Sequence, residues 1–338
     1  MISHLRSLVR LVGIAVYRLG LARVLLRRSP HRARVLLYHA VEEQEGVWIR
    51  GLRSNTRPGT FAAHLDLLDR LYDVVPLDDI LRPGDATGRP RVAITFDDGY
   101  RSMIQYALPL LRSHGHTATA FLVTDVIGNE RFVWVNELAL LLQRAPVQTL
   151  DVVRRALDVP SSIEETGEVI RHVQSHATLD RIEGALAEIR EKLSPDARPS
   201  AASLALYVTA QDLEEWRNAG CSIGSHTTRH PNLCTEDAGR RREALADALR
   251  SVTELGGVPA LAYPFGEVDD TVRADARAVG YRFLLEVGGV NPARGIDPTR
   301  VARVPVDDFD EAALFAELEV AEPLVSAVKR LFRPGRTR

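Results

Sequence analysis

Two adjacent carboxylates, Asp97 and Asp98, follow a short apolar segment and are succeeded at once by a glycine. The segment, residues 91–96, is rich in β-branched and aromatic side chains, as in a parallel strand buried on both faces. In α/β proteins the loop after such a strand often carries the chemistry, and two carboxylates there can divide cation binding and proton transfer between them. Asp-Asp-Gly is also common turn chemistry, so the pair alone is consistent with both interpretations.

Two histidines four residues apart, His226 and His230, follow a second predicted strand at residues 221–225. Imidazole nitrogen is the commonest metal ligand in proteins. Together with Asp98 these histidines make three protein ligands, which leaves coordination positions open for water and substrate. The His-x-x-x-His spacing also occurs without metal, but both segments lie at the carboxyl ends of predicted parallel strands. We therefore expect the three side chains to converge on one divalent ion.

Two further strand ends carry candidate residues. His39 lies near the end of the apolar residues 35–41, and Tyr263-Pro264-Phe265-Gly266 follows a strand predicted at 260–263. Proline and glycine in the second segment predict a rigid turn whose N–H groups can point into the same site. Each segment also has an ordinary structural interpretation, as a half-buried histidine and as a Pro-x-Gly turn.

The elements that must position these residues alternate between strand and helix, which predicts parallel pairs joined by helical crossovers. The strands are predicted at residues 35–41, 91–96, 117–123, 221–225, 260–263, 281–286 and 301–306, with helices at 106–113 and 310–319 among the connections. Residues 132–204 are helical in pattern and bounded by prolines, and we interpret them as a helical insertion. The chain then divides into an N-terminal segment, 1–34, a main domain, 35–325, and a basic tail, 326–338.

Composition limits the class of protein. Of the 338 residues 45% are hydrophobic and 26% are charged, which is ordinary for a globular chain with a large core. The net charge of −2 gives no general attraction to nucleic acid, and we expect no nucleic-acid partner. Cys221 and Cys234 are the only cysteines, which excludes a disulfide framework or a thiolate zinc site but leaves a single bridge open.

The N-terminal segment, residues 1–34, combines leucine and valine with arginines, which are Arg6, Arg10, Arg18, Arg23, Arg27 and Arg28. Its longest uncharged run, residues 11–17, is too short to span a bilayer, which needs about 20 residues. An amphipathic helix on an anionic membrane surface fits this composition, and so does a helix packed on the main domain. No cleavable signal is evident, and we expect a cytoplasmic protein that is peripheral at the inner membrane surface.

Residues 95–99, Thr-Phe-Asp-Asp-Gly, and residues 226–230, His-Thr-Thr-Arg-His, resemble the first two motifs of the polysaccharide deacetylase family. These proteins are the NodB-homology carbohydrate esterases of family 4. The resemblance covers roughly residues 35–125 and 205–310. It implies a deformed (β/α)₇ barrel of the NodB type, here with the helical insertion.

The resemblance also implies roles for the residues already singled out. Asp98, His226 and His230 would hold one divalent metal ion, and Asp97 would be the catalytic base. Zinc is the expected ion, and cobalt, manganese, nickel or ferrous iron are alternatives.

The match departs from the family pattern in two places. The third motif usually carries an arginine that orients the base, but Leu261 and Ala262 precede the turn here. No histidine follows His230, so the usual C-terminal catalytic histidine is missing. The chain resembles instead a branch with an early Tyr-His motif, in which His39 would supply the acid. A similar substitution would let Arg303 replace the missing arginine.

Amide hydrolysis needs an activated water, stabilisation of an oxyanion and a proton for the amine. A divalent metal can lower the pKa of water and polarise the carbonyl. Asp97 can take the proton of the water, the N–H of Phe265 can help to hold the oxyanion, and His39 can protonate the nitrogen. Substrate contacts are predicted for Tyr100, Tyr263 and Pro264.

We therefore predict a metal-dependent hydrolase that removes N-acetyl groups from amino sugars of a polysaccharide or glycoconjugate. A deacylase or deformylase of a lipid-linked amino sugar is the alternative substrate class, and contact of residues 1–34 with a membrane would suit it. Two histidines and a carboxylate also describe non-haem Fe(II) oxygenases. The missing third-motif arginine is consistent with an inactive carbohydrate-binding module.

Overall fold

A computed structural model describes residues 2–28, 33–82, 88–194, 198, 200–292 and 294–332. The strands are β1 (Ala33–Tyr38), β2 (Ala40–Val41), β3 (Asn55–Thr56), β4 (Asp73–Val74), β5 (Arg91–Asp98), β6 (Thr119–Leu122), β7 (Ser222–Ser225), β8 (Ala260–Ala262), β9 (Phe283–Val287) and β10 (Val301–Pro305). The α-helices before the insertion are α1 (Ile2–Arg18), α2 (Ala22–Arg28), α3 (Pro58–Leu71) and α4 (Leu108–Ser113). Those within the insertion are α5 (Trp134–Arg144), α6 (Pro146–Ala156), α7 (Thr166–His176), α8 (Leu179–Lys192) and α9 (Ala201–Leu204). The remaining helices are α10 (Ala210–Asn218), α11 (Ala238–Glu254), α12 (Asp270–Val279), α13 (Glu311–Ala316) and α14 (Glu322–Phe332).

Seven parallel strands close into a barrel. Their order around the ring is β1, β10, β9, β8, β7, β6 and β5, and pairing of β5 with β1 completes the circle. The short β4 pairs with the first two residues of β5. The predicted deformed (β/α)₇ barrel is confirmed.

Burial on both faces explains why β1 and β5 are continuous apolar runs in the sequence. Every residue of β1 is buried, and so is β5 from its second residue onward. The Phe96 ring contacts Tyr38, Phe61 and Trp216 at centroid distances of 5.5, 5.7 and 6.0 Å. Burying one such aromatic side chain contributes about 1.5–3 kcal/mol, so this cluster anchors the strand that ends in the two carboxylates.

Two of the predicted helices contain a π turn, and in both a nearby proline explains it. The helix expected at 106–113 starts earlier with a π turn, Met103–Ala107, which leads into α4. The helix expected at 310–319 instead runs from α13 through a π turn, Glu317–Ala321, into α14. In each case a proline, Pro109 or Pro323, is the second residue after the π turn. A proline removes one hydrogen-bond donor and crowds the carbonyl four residues earlier, which the wider turn relieves.

The C-terminal residues differ from the predicted basic tail. Residues 326–332 are part of α14, so the tail does not begin at residue 326. Residues 333–338 lie outside the described residues.

The described part of the N-terminal segment consists of α1 and α2, and α1 packs on the C-terminal helices α13 and α14. Arg6 on α1 donates hydrogen bonds of 2.9 Å to both Glu317 and Glu322, whose carboxylates are buried. A Cβ on Gly13 would lie 2.6 Å from the Cβ of Ala316, so glycine permits this close helix contact. In the described residues no helix combines the length and the hydrophobicity needed to cross a bilayer.

The two cysteines are free thiols. Cys221 is buried directly before β7, where its sulfur accepts a hydrogen bond of 3.4 Å from the N–H of Ala118. Cys234 is exposed, and the bridge that the sequence left open is not formed.

Candidate active site

The carboxyl ends of the barrel strands surround a cavity of about 360 Å³. The predicted residues that line it are His39, Asp97, Asp98, Tyr100, His226, His230, Tyr263 and Phe265. Arg303 lies behind Asp97 on β10, and Pro264 is buried in the turn after β8. The strand ends thus bring together side chains that are far apart in the sequence.

Three of these side chains form a compact cluster of ligand atoms. Asp98 Oδ1 lies 3.6 Å from His226 Nε2 and 3.5 Å from His230 Nε2, and the two nitrogens are 3.1 Å apart. Ligands bound at about 2.0–2.2 Å from one ion are separated by roughly 3–3.6 Å, so the spacing fits a single divalent ion. Asp98 Oδ1 is also buried without a hydrogen-bond partner among the described residues, which is a costly state unless a cation neutralises it.

Both imidazoles direct their Nε2 atoms to this point. His226 Nδ1 donates to the carbonyl of Ala262 at 2.8 Å, which fixes the ring so that Nε2 faces the cluster. Burial, reinforced by the neighbouring His226, lowers the pKa of His230 to about 3. His230 is therefore suited to act as a neutral ligand, and His226 is oriented for the same role.

Backbone conformation aims several of these groups. Asp98, Thr227, His230 and Phe265 all have positive φ, between 59° and 70°. Each such residue costs of order 1–3 kcal/mol and persists only where its surroundings hold it. The Thr227 hydroxyl provides part of that support, because it accepts a hydrogen bond of 3.1 Å from the N–H of His230. The left-handed turns direct the side chains of Asp98 and His230 toward the cavity.

The second carboxylate, Asp97, is held by Arg303. Two hydrogen bonds of 2.7 and 2.8 Å join the guanidinium to the two carboxylate oxygens, and both side chains are almost fully buried. Burial is the largest single influence and by itself would raise the pKa of Asp97, but the charge and hydrogen bonds of Arg303 together with the nearby His226 outweigh it, and the pKa falls to about 2. Phe121 supports the arginine from its other side, with the guanidinium carbon 5.4 Å from the ring centroid. Asp97 is thus an oriented, ionised carboxylate at neutral pH.

His39 reaches the same rim through strand register. Tyr38 pairs with Phe96, so the next residues, His39 and Asp97, are level across β1 and β5. On the other side β1 pairs with β10, which brings Asp307 to the cavity next to His39. His39 is half-buried and faces the cavity that holds the cluster.

The aromatic residues of the cavity wall are Tyr100 and Tyr263, for which substrate contacts are predicted, and Phe265, whose N–H is the predicted oxyanion donor. Tyr100 is 1% exposed, and its hydroxyl donates to Asn136 at 3.1 Å. Tyr263 is 0% exposed, and its hydroxyl has no hydrogen-bond partner in the described part of the chain. Phe265 packs its ring on His230, with centroids 4.4 Å apart.

Some residues of the cavity were not predicted from the sequence. They are Arg53 and its neighbours in the loop before β3, Arg171 and Gln174 on α7, and Asp307 after β10. Asp307 follows a strand end, the signal that singled out Asp97, and could have been found in the same way. The residues of α7 belong to a polar helix of the insertion, and no local pattern marks which of its faces meets the cavity.

Comparison with known proteins gives a consistent result. Residues 84–284, more than half of the chain, match the family model for polysaccharide deacetylase. No curated protein sequence matches the chain.

Several solved structures have the same fold. The Streptococcus pyogenes deacetylase PplD in complex with acetate is 16% identical with a TM-score of 0.56, and the alignment covers 86% of this chain and 99% of that one. IcaB from Ammonifex degensii is 17% identical with a TM-score of 0.54, covering 86% and 98%. A de-N-acetylase from Aggregatibacter actinomycetemcomitans is 16% identical with a TM-score of 0.52, covering 84% and 99%. At these identities the likeness shows the fold.

Proposed function

The chain belongs to the polysaccharide deacetylase family, and from that premise we propose that it removes N-acetyl groups from amino sugars with the aid of one divalent metal ion. The observation that carries the proposal is the meeting of the Asp98, His226 and His230 ligand atoms with the Asp97 and Arg303 pair in one cavity. The three ligand atoms fit a cation, and the Asp97 carboxylate held by Arg303 fits a proton acceptor.

The residues of the chain divide the chemistry between them. A divalent ion held by Asp98, His226 and His230 would supply a Lewis acid that activates water and polarises the amide carbonyl. Asp97 accepts the proton of the attacking water, and Arg303 keeps that carboxylate ionised and oriented.

The departing amine needs a proton, and His39 is the proposed donor. Histidine is the usual side chain for proton transfer near neutral pH. His39 lies level with Asp97 at the cavity rim. The N–H of Phe265, in its left-handed turn, is the proposed donor to the oxyanion.

The walls of the cavity bear on the substrate. At about 360 Å³ the cavity is near the small end of ligand sites, which run from about 300 to 1,000 Å³. Helix α7 forms one wall with Ile170, Arg171 and Gln174. We propose that the site takes one acylated amino sugar of a polysaccharide or glycoconjugate, with the rest of the glycan outside the cavity.

A lipid-linked amino sugar is the second candidate, and the outer face of the N-terminal helices favours it. Leu8, Leu11 and Val12 on α1 are 62%, 63% and 56% exposed, and Leu19, before α2, is 73% exposed. Helix α2 adds three exposed arginines, Arg23, Arg27 and Arg28. Exposed apolar and cationic side chains close together in the chain suit an anionic membrane. We propose a peripheral contact there, at the cytoplasmic face of the inner membrane, which would bring the cavity to glycolipid substrates.

Two other interpretations lose their support. Membership of a hydrolase family argues against the oxygenase interpretation. The inactive binding module was suggested by a missing arginine, and Arg303 contacts Asp97 as that arginine would.

The proposal is tested by measuring acetate or formate released from N-acetylated and N-formylated amino sugars, free, polymeric and lipid-linked. Release should stop with chelator and return with added metal. Asp97→Asn should retain the metal and lose turnover by roughly 10²–10⁴-fold. Asp66→Asn, an exposed carboxylate on α3, is the matched control. Release that is insensitive to chelator, or near-normal turnover of Asp97→Asn, would contradict the proposal.

A further inference from the structure

A second cluster of metal-ligating side chains lies away from the cavity, near the amino-terminal ends of the barrel strands. It consists of Asp69 near the end of α3 and of His114 and His116 in the turn between α4 and β6. Asp69 Oδ2 lies 2.6 Å from His114 Nδ1, and Asp69 Oδ1 lies 2.7 Å from His116 Nε2. The active-site residues occupy the opposite, carboxyl ends of the strands, so the two clusters are separate.

The turn between α4 and β6 is built to present both rings together. His114 caps α4, and its N–H donates to the carbonyl of Leu110. Gly115 then adopts φ +68°, the left-handed conformation that glycine supplies at helix ends. The chain reverses there, and the imidazoles of His114 and His116 stack with centroids 5.9 Å apart and planes 26° apart.

We propose that Asp69, His114 and His116 bind a divalent transition-metal ion of the zinc type, at a site separate from the one proposed for the active-site ion. One ligand atom from each side chain lies within 4.8 Å of the other two. Two imidazoles and a carboxylate are a common donor set for zinc, cobalt and nickel.

Partial burial suits such a site. The histidine side chains are 17% and 13% exposed, whereas the Asp69 side chain is 41% exposed. The rings are therefore held in place, while the carboxylate has room to move outward as the ion replaces the protons between it and the rings. Solvent can fill the remaining coordination positions.

The expected role follows from what the ligands connect. Asp69 belongs to α3, whereas both histidines belong to the turn that enters β6. A bound ion would cross-link these two elements and stabilise the folded chain, because an ion that binds only the folded state shifts the equilibrium by mass action.

A second histidine pair provides an internal comparison. His172 and His176 on α7 stack with centroids 4.4 Å apart, closer than His114 and His116. They are not grouped with a carboxylate within ligand distance in the described residues. If nearby imidazoles alone sufficed to retain zinc, this pair would do so as well.

The test is metal stoichiometry of the full chain, stripped with chelator, equilibrated with zinc and dialysed. The wild type should retain two zinc ions per chain. His114→Gln with His116→Gln should retain one, and His226→Gln with His230→Gln should also retain one. The matched control, His172→Gln with His176→Gln, should retain two. A His114/His116 double variant that retains as many zinc ions as the wild type would overturn the proposal, whereas loss of an ion only from the His226/His230 variant would bear on the active site alone.

Thermal unfolding supplies a second readout and a check on folding. In the His226→Gln, His230→Gln background, zinc at about 100 times its dissociation constant should raise the melting temperature by roughly 4 °C. Adding Asp69→Asn should abolish that rise, with the unfolding curve in chelator unchanged. An equal rise with and without Asp69→Asn would show that the ion binds elsewhere.

Discussion

Arg303 donates two parallel hydrogen bonds to Asp97 although 206 positions separate them in the sequence. The strands that carry them, β10 and β5, are not neighbours, because β1 lies between them in the ring. The pair therefore spans the barrel interior. Its geometry is what keeps a buried carboxylate ionised at neutral pH.

Replacing Arg303 by methionine tests this relationship. Without the guanidinium, burial is opposed only by weaker charges, so the pKa of Asp97 should rise from about 2 toward neutral values. The acid limb of the pH profile of kcat/KM should move to higher pH, and the free energy of unfolding should fall by about 3–5 kcal/mol. Arg303→Lys keeps the charge without the two-pronged contact and should shift the limb less. An unmoved acid limb in Arg303→Met would show that the arginine does not control the base.

Asp98→Asn should stabilise the metal-free protein while it abolishes metal binding. Asp98 Oδ1 is buried and unpartnered in the described residues, and asparagine tolerates the left-handed backbone at φ 70°. Removing that charge should add about 1–3 kcal/mol to the free energy of unfolding in chelator. With zinc present the order should reverse, because only the wild type gains from the ion. Denaturant unfolding in chelator and in zinc measures the two free energies of unfolding. A metal-free variant less stable than the metal-free wild type would count against Asp98 as a metal ligand.

His39→Ala separates a proton donor from a structural histidine. An amine leaving group needs a proton, whereas an activated aryl acetate leaves without one. The variant should therefore lose far more amide hydrolysis than aryl ester hydrolysis, with its metal content unchanged. Equal losses on the two substrates would indicate a positional role only.

His64 should make the protein less stable in mild acid. It is buried between the Tyr38 hydroxyl, 3.0 Å from Nδ1, and the carbonyl of Phe309, 2.8 Å from Nε2. Burial lowers its pKa from 6.5 to about 4 despite the carbonyl contact. The unfolded state therefore binds a proton first, so the stability due to neutral His64 is complete above pH 6.5 and is lost as the pH falls toward 4.

The loss over that range should be about 3 kcal/mol. Urea unfolding of wild type and His64→Gln from pH 7.5 to 4 measures it, because groups common to both proteins cancel in the difference. A difference that stays constant with pH would refute the assignment.

Leu11→Ser with Val12→Ser should weaken binding to phosphatidylglycerol vesicles without changing turnover of a soluble substrate. Both side chains are more than half exposed on α1, so the fold does not depend on them. Val147→Ser on α6, where the valine is 76% exposed, is the matched control and should bind vesicles as the wild type does. Vesicle binding by the double variant equal to that of the wild type would exclude this surface.

The sequence predicted those parts of the site that lie at strand ends. Asp97, Asp98, His226 and His39 each follow an apolar run, and parallel strands bring such positions to one rim. Arg303 was suggested only because the family's third motif lacks its usual arginine in this chain. The sequence around an arginine inside a strand does not indicate which carboxylate it will contact.

The parts that could not be predicted depend on how separate elements dock. The wall formed by Arg171 and Gln174 requires the orientation of α7, which is set by the core of the insertion. The pairing of Arg6 with Glu317 and Glu322 likewise joins the two ends of the chain. Both contacts depend on tertiary packing between distant elements, which the hydrophobic pattern of a single segment does not predict.

Barrel closure has a consequence for the order in which the protein can mature during synthesis. The first strand, β1, pairs with β10, whose residues leave the ribosome more than 260 positions later. Until β10 is added, the barrel cannot close, and the nascent chain lacks the Arg303 that holds Asp97 in the folded protein. A ribosome-bound chain can thus already carry Asp97, Asp98, His226 and His230 while the barrel is still open and the pair of Asp97 with Arg303 cannot yet form.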